Sequence, residues 1–148
     1  MNIGDVCTRE VFTVGEKEPL ANAIRGMDSR HVGAAVVIDD RAGTKFPVGM
    51  VTDRDVLRGQ FDCKADLHCL IVSDVMTTHP LVLRDDCDVA TAIDQMTSRV
   101  VRRAPVVDGT GNLVGIVSLD DLLPLVAGEI AELARRIGSQ SRRERAAR

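Results

Sequence analysis

An α/β (α+β) fold, built from two pseudo-symmetric β-α-β-β-α units packed side by side as one module, is predicted by three observations on this 148-residue chain. The chain repeats itself: shifted by 69 residues, Leu20 to Asp39 lies over Val89 to Asp108 with ten identities in twenty positions. Each copy places short β-branched runs and a helical stripe in the same order. The stretch "GMVTDRDVL" at 49–57 returns as "GIVSLDDLL" at 115–123, now at an offset of 66. The offset changes because the loop "DRAGTKFPV" is three residues longer than "GTGNLV". A length difference at a turn, with the frame held on either side, is what duplication of a structural unit leaves.

The elements follow in order. Phe12-Thr13-Val14 and Leu81-Val82-Leu83 read as short strands ahead of Pro19 or the acidic Asp85-Asp86. Leu20, Ala23, Ile24 and Met27 fall at i, i+3, i+4 and i+7, as do Val89, Ala92, Ile93 and Met96, which is the buried stripe of an amphipathic helix. Ala34 to Ile38 with Val48 to Val51, and Ala104 to Val107 with Leu113 to Val117, are apolar runs split by a glycine-containing turn, hence hairpins. Thr52 and Ser118 then start further helices. In the last one Leu122, Val126, Ile130, Leu133 and Ile137 keep a helical stripe, and Pro124 predicts a kink or break. Two such units can pair their sheets and bury helix faces that neither buries alone.

Composition excludes several classes. With 45% apolar residues the chain can build a core. No run reaches the roughly 18 apolar residues of a membrane helix. The start, Met-Asn-Ile-Gly-Asp-Val, has no charged segment leading into an apolar one, so a cytoplasmic protein is expected. Cys7, Cys63, Cys69 and Cys87 are spread without the pairing of a small secreted scaffold, and reduced thiols are expected. Cys63, His68 and Cys69 cluster but lack a fourth ligand at zinc spacing, so no metal site is assigned. The net charge of −3 divides into +5 on residues 135–148 and −8 on the body. A body this acidic repels a phosphate backbone, which confines any nucleic-acid contact to the arginine-rich end, read here as a solvated, disordered tail.

Thr52-x-x-Asp55 and Ser118-x-x-Asp121 each admit two readings. One is a capping box, the hydroxyl accepting from a first-turn N–H and the acid reaching back. The other starts from the same geometry: a helix N-terminus attracts phosphate, a glycine three residues earlier permits close approach, and the aspartate offers two acceptors to paired ribose hydroxyls. Hydroxyl for phosphate, aspartate for ribose and strand backbone for a base are the parts of a nucleotide site, and capping is compatible with it.

"GMVTDRD" and "GIVSLDD", each closing a β-α-β-β-α repeat, resemble the signature of the CBS domain, and the chain resembles a tandem CBS pair or Bateman module, in the form of a stand-alone bacterial-type CBS domain protein. The likeness spans about residues 4 to 128. It implies two clefts between the halves and an adenosyl ligand such as AMP, ADP, ATP, S-adenosylmethionine or NAD(H). It also implies a role in regulation or energy sensing, and homodimers. By the same resemblance Asp55 and Asp121 take the ribose position, Thr52 and Ser118 the phosphate-facing hydroxyl. The family's basic residues before the second strand fall on Arg102 and Arg103, where the first repeat has Gly33 and Ala34. Guanidinium forks phosphate and glycine does not, so unequal sites are expected, the cleft that includes the two arginines preferring a phosphorylated ligand. Lys45 is a candidate substitute charge in the first repeat. With three Phe and no Trp or Tyr, the base is expected between aliphatic side chains, with Val36, Met50, Pro105 and Ile116 as candidates.

No nucleophile, base and orienting group assemble from this pattern; His31, His68 and His79 fall in a helix end, a connector and a pre-strand segment, so no catalytic residue, catalytic cofactor or enzyme activity is assigned. The chain divides into repeat 1 (4–62), a connector (63–72), repeat 2 (73–128) and a C-terminal helix with the basic tail (129–148). A sensor of this kind acts on an effector protein or on its own dimer. Val56, Leu57, Leu122, Leu123, Leu125 and Val126 exceed what the clefts need and predict a homodimer through these helices. The alternative is an interaction scaffold whose arginine-rich end docks nucleic acid or an acidic partner.

Overall fold

The computed structural model describes residues 1–63 and 66–147. The first half runs α1 (Ile3–Val6), β1 (Thr13–Gly15), α2 (Leu20–Arg30), β2 (Ala34–Arg41), β3 (Thr44–Thr52) and α3 (Asp53–Cys63). After a 3-10 turn at Leu67–Cys69, the second half runs α4 (Val72–Val75), β4 (Thr77–Thr78), β5 (Leu83–Arg84), α5 (Val89–Ser98), β6 (Arg103–Val107), β7 (Leu113–Ser118) and α6 (Leu119–Ala146). The expected β-α-β-β-α order appears twice, with a short helix added before each copy.

One sheet has the order β1-β2-β3-β4 and the other β5-β6-β7. In each, a short strand lies parallel to the first strand of an antiparallel hairpin. The β2–β3 turn closes on Ala42 (φ 54°) and Gly43 (φ 89°), the two successive positive-φ residues that a tight right-twisted hairpin requires.

Alternation along the strands sorts their side chains. Ala35, Val37 and Val51 face α2 and join Leu20, Ala23 and Met27 in one core; Ala104, Val106 and Val117 join Val89, Ala92 and Met96 in the other. Full burial of a side chain of this size contributes about 1.5–3 kcal/mol. The cores interleave. Ile3 of α1 is fully buried in the second-half core, and Val72 of α4 is fully buried in the first-half core. The lead-in of each repeat thus completes the other half, so the chain boundaries at 4 and 73 do not coincide with the packing units.

Two expectations for the C-terminal region need correction. α6 is one helix of 28 residues, with no break at Pro124. This proline is the sixth residue of the helix, so its missing N–H removes a single bond, to the Asp120 carbonyl, and the ring meets only the opening turn. Nor are the residues after 137 a disordered tail: α6 continues to Ala146, and Arg148 lies outside the described residues. Good helix formers supply the propensity, Glu132 pairs with Arg135 and Arg136 one turn on, and Arg143 and Arg145 suit the negative helix end.

Candidate functional site

Both motif clusters cap a helix, and the first does so as a full capping box. The Thr52 N–H and hydroxyl donate to Asp55 Oδ2 at 2.9 and 3.0 Å, and the Asp55 N–H donates to Thr52 Oγ1 at 3.2 Å. Ser118 caps α6: its hydroxyl donates to Asp121 Oδ2 at 2.8 Å and accepts from the Asp121 N–H at 3.2 Å. Each carboxylate spends Oδ2 on the cap, and among the described residues Oδ1 has no such bond. Capping therefore leaves one acceptor per site for a second donor.

The motif glycines serve the chain itself. A Cβ on Gly49 would stand 2.9 Å from the Thr77 carbonyl oxygen, and one on Gly115 2.9 Å from that of Thr8. What approaches these strands closely is the lead-in of the other repeat. Thr77 pairs with Met50 in the first sheet, and Thr8 exchanges N–H···O bonds of 2.9 and 3.0 Å with Ile116 of the second.

This exchange composes two clefts. One, of about 320 Å³, is lined by Ile116, Ser118 and Asp121 of the second repeat, facing Thr8, Phe12 and Gly33 of the first. The other, of about 210 Å³, is lined by Met50, Thr52 and Asp55 of the first repeat, facing Thr77, Leu81 and Arg102 of the second. Every residue lining the smaller cleft has its counterpart in the larger under the offsets 69 and 66, as for Thr77 and Thr8 or Leu81 and Phe12, and the larger adds Glu10, His31 and Arg103. Every motif therefore faces the pre-strand segment of the opposite repeat.

The two arginines belong to the second repeat, yet Arg102 lines the cleft of Thr52 and Asp55 in the first motif, and Arg103 reaches both clefts. Arg103 sits opposite Ser118 in the β6–β7 register, which accounts for its reach. Arg102 is held by Asp120 at 2.6 Å, both side chains being largely in water. The larger cleft also receives Glu10, an acid that opposes a phosphate there.

Of the four base-contact candidates, Met50 and Ile116 line the clefts, whereas Val36 and Pro105 are fully buried. Val36 pairs with Met50 and Pro105 with Ile116, on the sheet faces turned away from the helices. The two inner positions are closed over, so Val36 and Pro105 pack rather than contact a ligand. Lys45 is far from this arrangement: its N–H bonds Asn112 Oδ1 at the hairpin tips, at 2.9 Å. Thr8, Phe12, Thr77, Pro80 and Leu81 are lining residues that motif reading missed. Carried back toward the start of each repeat, the 69-residue shift lays Thr8 over Thr77, and that identity is the signal the sequence holds for them.

Among the described residues no cluster of His, Cys, Asp or Glu has metal-binding geometry, and the Cys63 side chain lies outside them. No described helix is long and apolar enough to cross a membrane. Of the six apolar residues expected at a dimer surface, Val56 and Leu122 belong to the chain's own cores and Val126 packs against one of them. Leu57, Leu123 and Leu125 are exposed, joined by Phe61 at 83%.

A family model for the CBS domain matches residues 3–62 and 72–128. An uncharacterized protein of Bacillus subtilis is 39% identical over 81% of this chain and 78% of its own length. An uncharacterized protein of Methanopyrus kandleri is 27% identical over 83% of this chain, which spans only 61% of that protein. A solved structure of a protein called CBSX2, in complex with AMP, is 29% identical, covers 86% of this chain and 96% of its own, and superposes with a TM-score of 0.71.

Proposed function

This chain belongs to the CBS domain family, carrying two copies in tandem, and on that premise we propose that it is a non-enzymatic regulatory module that binds an adenosyl ligand between its repeats. One observation carries the reading: in each cleft a capped hydroxyl–aspartate pair with a spare carboxylate oxygen faces the pre-strand segment of the other repeat. In the smaller cleft Asp55 takes the ribose hydroxyls through its spare oxygen, Arg102 with Arg103 take the phosphate, joined by Thr52 when its hydroxyl turns from Asp55 to the ligand, and Met50, Pro80 and Leu81 enclose the base. AMP fits this set, and the AMP-bound CBSX2 is the relative that supports it. In the larger cleft Asp121 and Ser118 have Glu10 and Gly33 opposite them, which favours an adenosyl compound of lower charge.

A ligand that bridges two repeats stabilises one relative placement of them, and an effector protein or a second copy reads that placement. Leu57 and Phe61, one turn apart and exposed on α3, form the apolar surface on which a second copy seats.

The test is calorimetric titration with AMP, ADP, ATP, NADH and S-adenosylmethionine, repeated on Asp55→Ala and Asp121→Ala. AMP binding lost with Asp55→Ala and ligand returned unchanged is the expected result. Binding indifferent to both substitutions, or turnover of the ligand, would reject the assignment.

A further inference from the structure

Beyond Val126, α6 leaves the core, and Ile130, Leu133 and Ile137 remain 63%, 58% and 55% exposed. The 20 residues from Ala127 to Ala146 form a helix of about 30 Å at 1.5 Å per residue. In proteins most of a helix's stability comes from packing its apolar face rather than from propensity. Leu123, Val126, Ile130, Leu133 and Ile137 are spaced 3, 4, 3 and 4 residues apart. This is the alternation of a two-stranded coiled-coil seam, with isoleucine and leucine in alternate positions at its centre.

The flanking charges choose the occupant and its direction. Glu129 and Arg136 occupy the same flank of the seam, one heptad apart, and the other flank holds only the small Ala127, Ala134 and Ser141. Two parallel copies would set Glu129 and Arg136 against those uncharged residues, and would bring the Arg135 and Arg142 rows of both chains to the same level. Two antiparallel copies place Ile130 against Leu133 and Val126 against Ile137 of the second copy, each layer occurring twice. They also place Glu129 against Arg136 on both sides. Opposed helix dipoles favour the same arrangement.

We propose that the middle of α6, from Val126 to Ile137, is a self-association surface, pairing antiparallel with α6 of a second copy through Val126, Ile130, Leu133 and Ile137. It is distinct from the Leu57 and Phe61 surface on α3 and independent of ligand binding. The two-fold symmetry of the charge pairs makes the contact isologous and closed, so it yields a defined dimer rather than a filament.

Sedimentation equilibrium of the whole chain tests this in a Leu57→Glu/Phe61→Glu background, which removes the α3 surface at two exposed positions. The expected species is a dimer, converted to monomer by Leu133→Glu with the melting of the module retained. In the same background, Glu129→Arg or Arg136→Glu alone should weaken association by about tenfold, since two facing pairs turn repulsive. The double reversal in one chain should restore it. A double reversal no tighter than either single one overturns the antiparallel pairing. A Leu57→Glu/Phe61→Glu chain that is monomeric at every concentration overturns the surface itself, as does a monomer that instead retains nucleic acid through Arg135 and Arg142.

Discussion

Arg102 is where the two repeats differ most consequentially, and replacing it by alanine gives a response that depends on which cleft it serves. The guanidinium is held by Asp120 at 2.6 Å, with side-chain exposures of 73% and 66%. A pair that open contributes about 0.2–1 kcal/mol, whereas a charge-assisted bond to phosphate contributes about 1.5–3 kcal/mol. The difference, about 1–2 kcal/mol, corresponds to a five- to thirtyfold weaker AMP affinity for Arg102→Ala at 1.4 kcal/mol per tenfold. Asp120→Asn releases the guanidinium and should tighten AMP binding by about two- to fivefold, the value of the lost competitor. Titration calorimetry in a double-mutant cycle locates the effect. The Arg102→Ala loss should persist in Asp121→Ala and vanish in Asp55→Ala, because Arg102 lines the cleft of Asp55. The opposite pattern would refute the exchanged composition of the clefts.

Three other outcomes follow from local geometry. Gly115→Ala puts a methyl group 2.9 Å from the Thr8 carbonyl oxygen and 2.5 Å from Cys7 Sγ, so the bridge from Thr8 to Ile116 must shift. A loss of about 1–3 kcal/mol in urea unfolding is expected, and an unchanged midpoint would contradict the close crossing. Val100 holds φ 54° at 89% exposure, a left-handed β-branched residue with little packing to lose. Val100→Gly should therefore raise stability by about 0.5–1 kcal/mol, read as a higher Tm. Asp88 caps α5, accepting from the Thr91 hydroxyl and N–H at 2.5 and 3.0 Å, and these bonds hold its carboxyl below the ordinary range. A folded-state value below the unfolded one gives stability that is present above about pH 4 and lost as the pH falls through the carboxylate range. Asp88→Ala should flatten that acid limb in thermal melts between pH 6 and pH 2, and an unaltered slope would rule out the cap as its source.

Much of the fold was legible because it is local and repeated. The stripe of Leu20, Ala23 and Met27 and its copy Val89, Ala92 and Met96 identified two helices, since burial of one face leaves its period in the residues. Thr52 with Asp55 and Ser118 with Asp121 announced helix starts, because a cap needs only neighbours three residues apart. The motif residues of the candidate site were readable for the same reason.

What the sequence by itself determined, then, is the duplication, the order of elements within each unit and the pairing of hydroxyl with aspartate. Only the tertiary structure decided which repeat each lead-in completes, and with it that Arg102 lies beside Asp55 and Phe12 in the cleft of Asp121. A self-match aligns Thr8 with Thr77 but is silent on which sheet edge either one joins. That choice is made where Ile3 and Val72 can be buried, across contacts between segments distant in the chain, and no periodicity within a unit encodes it.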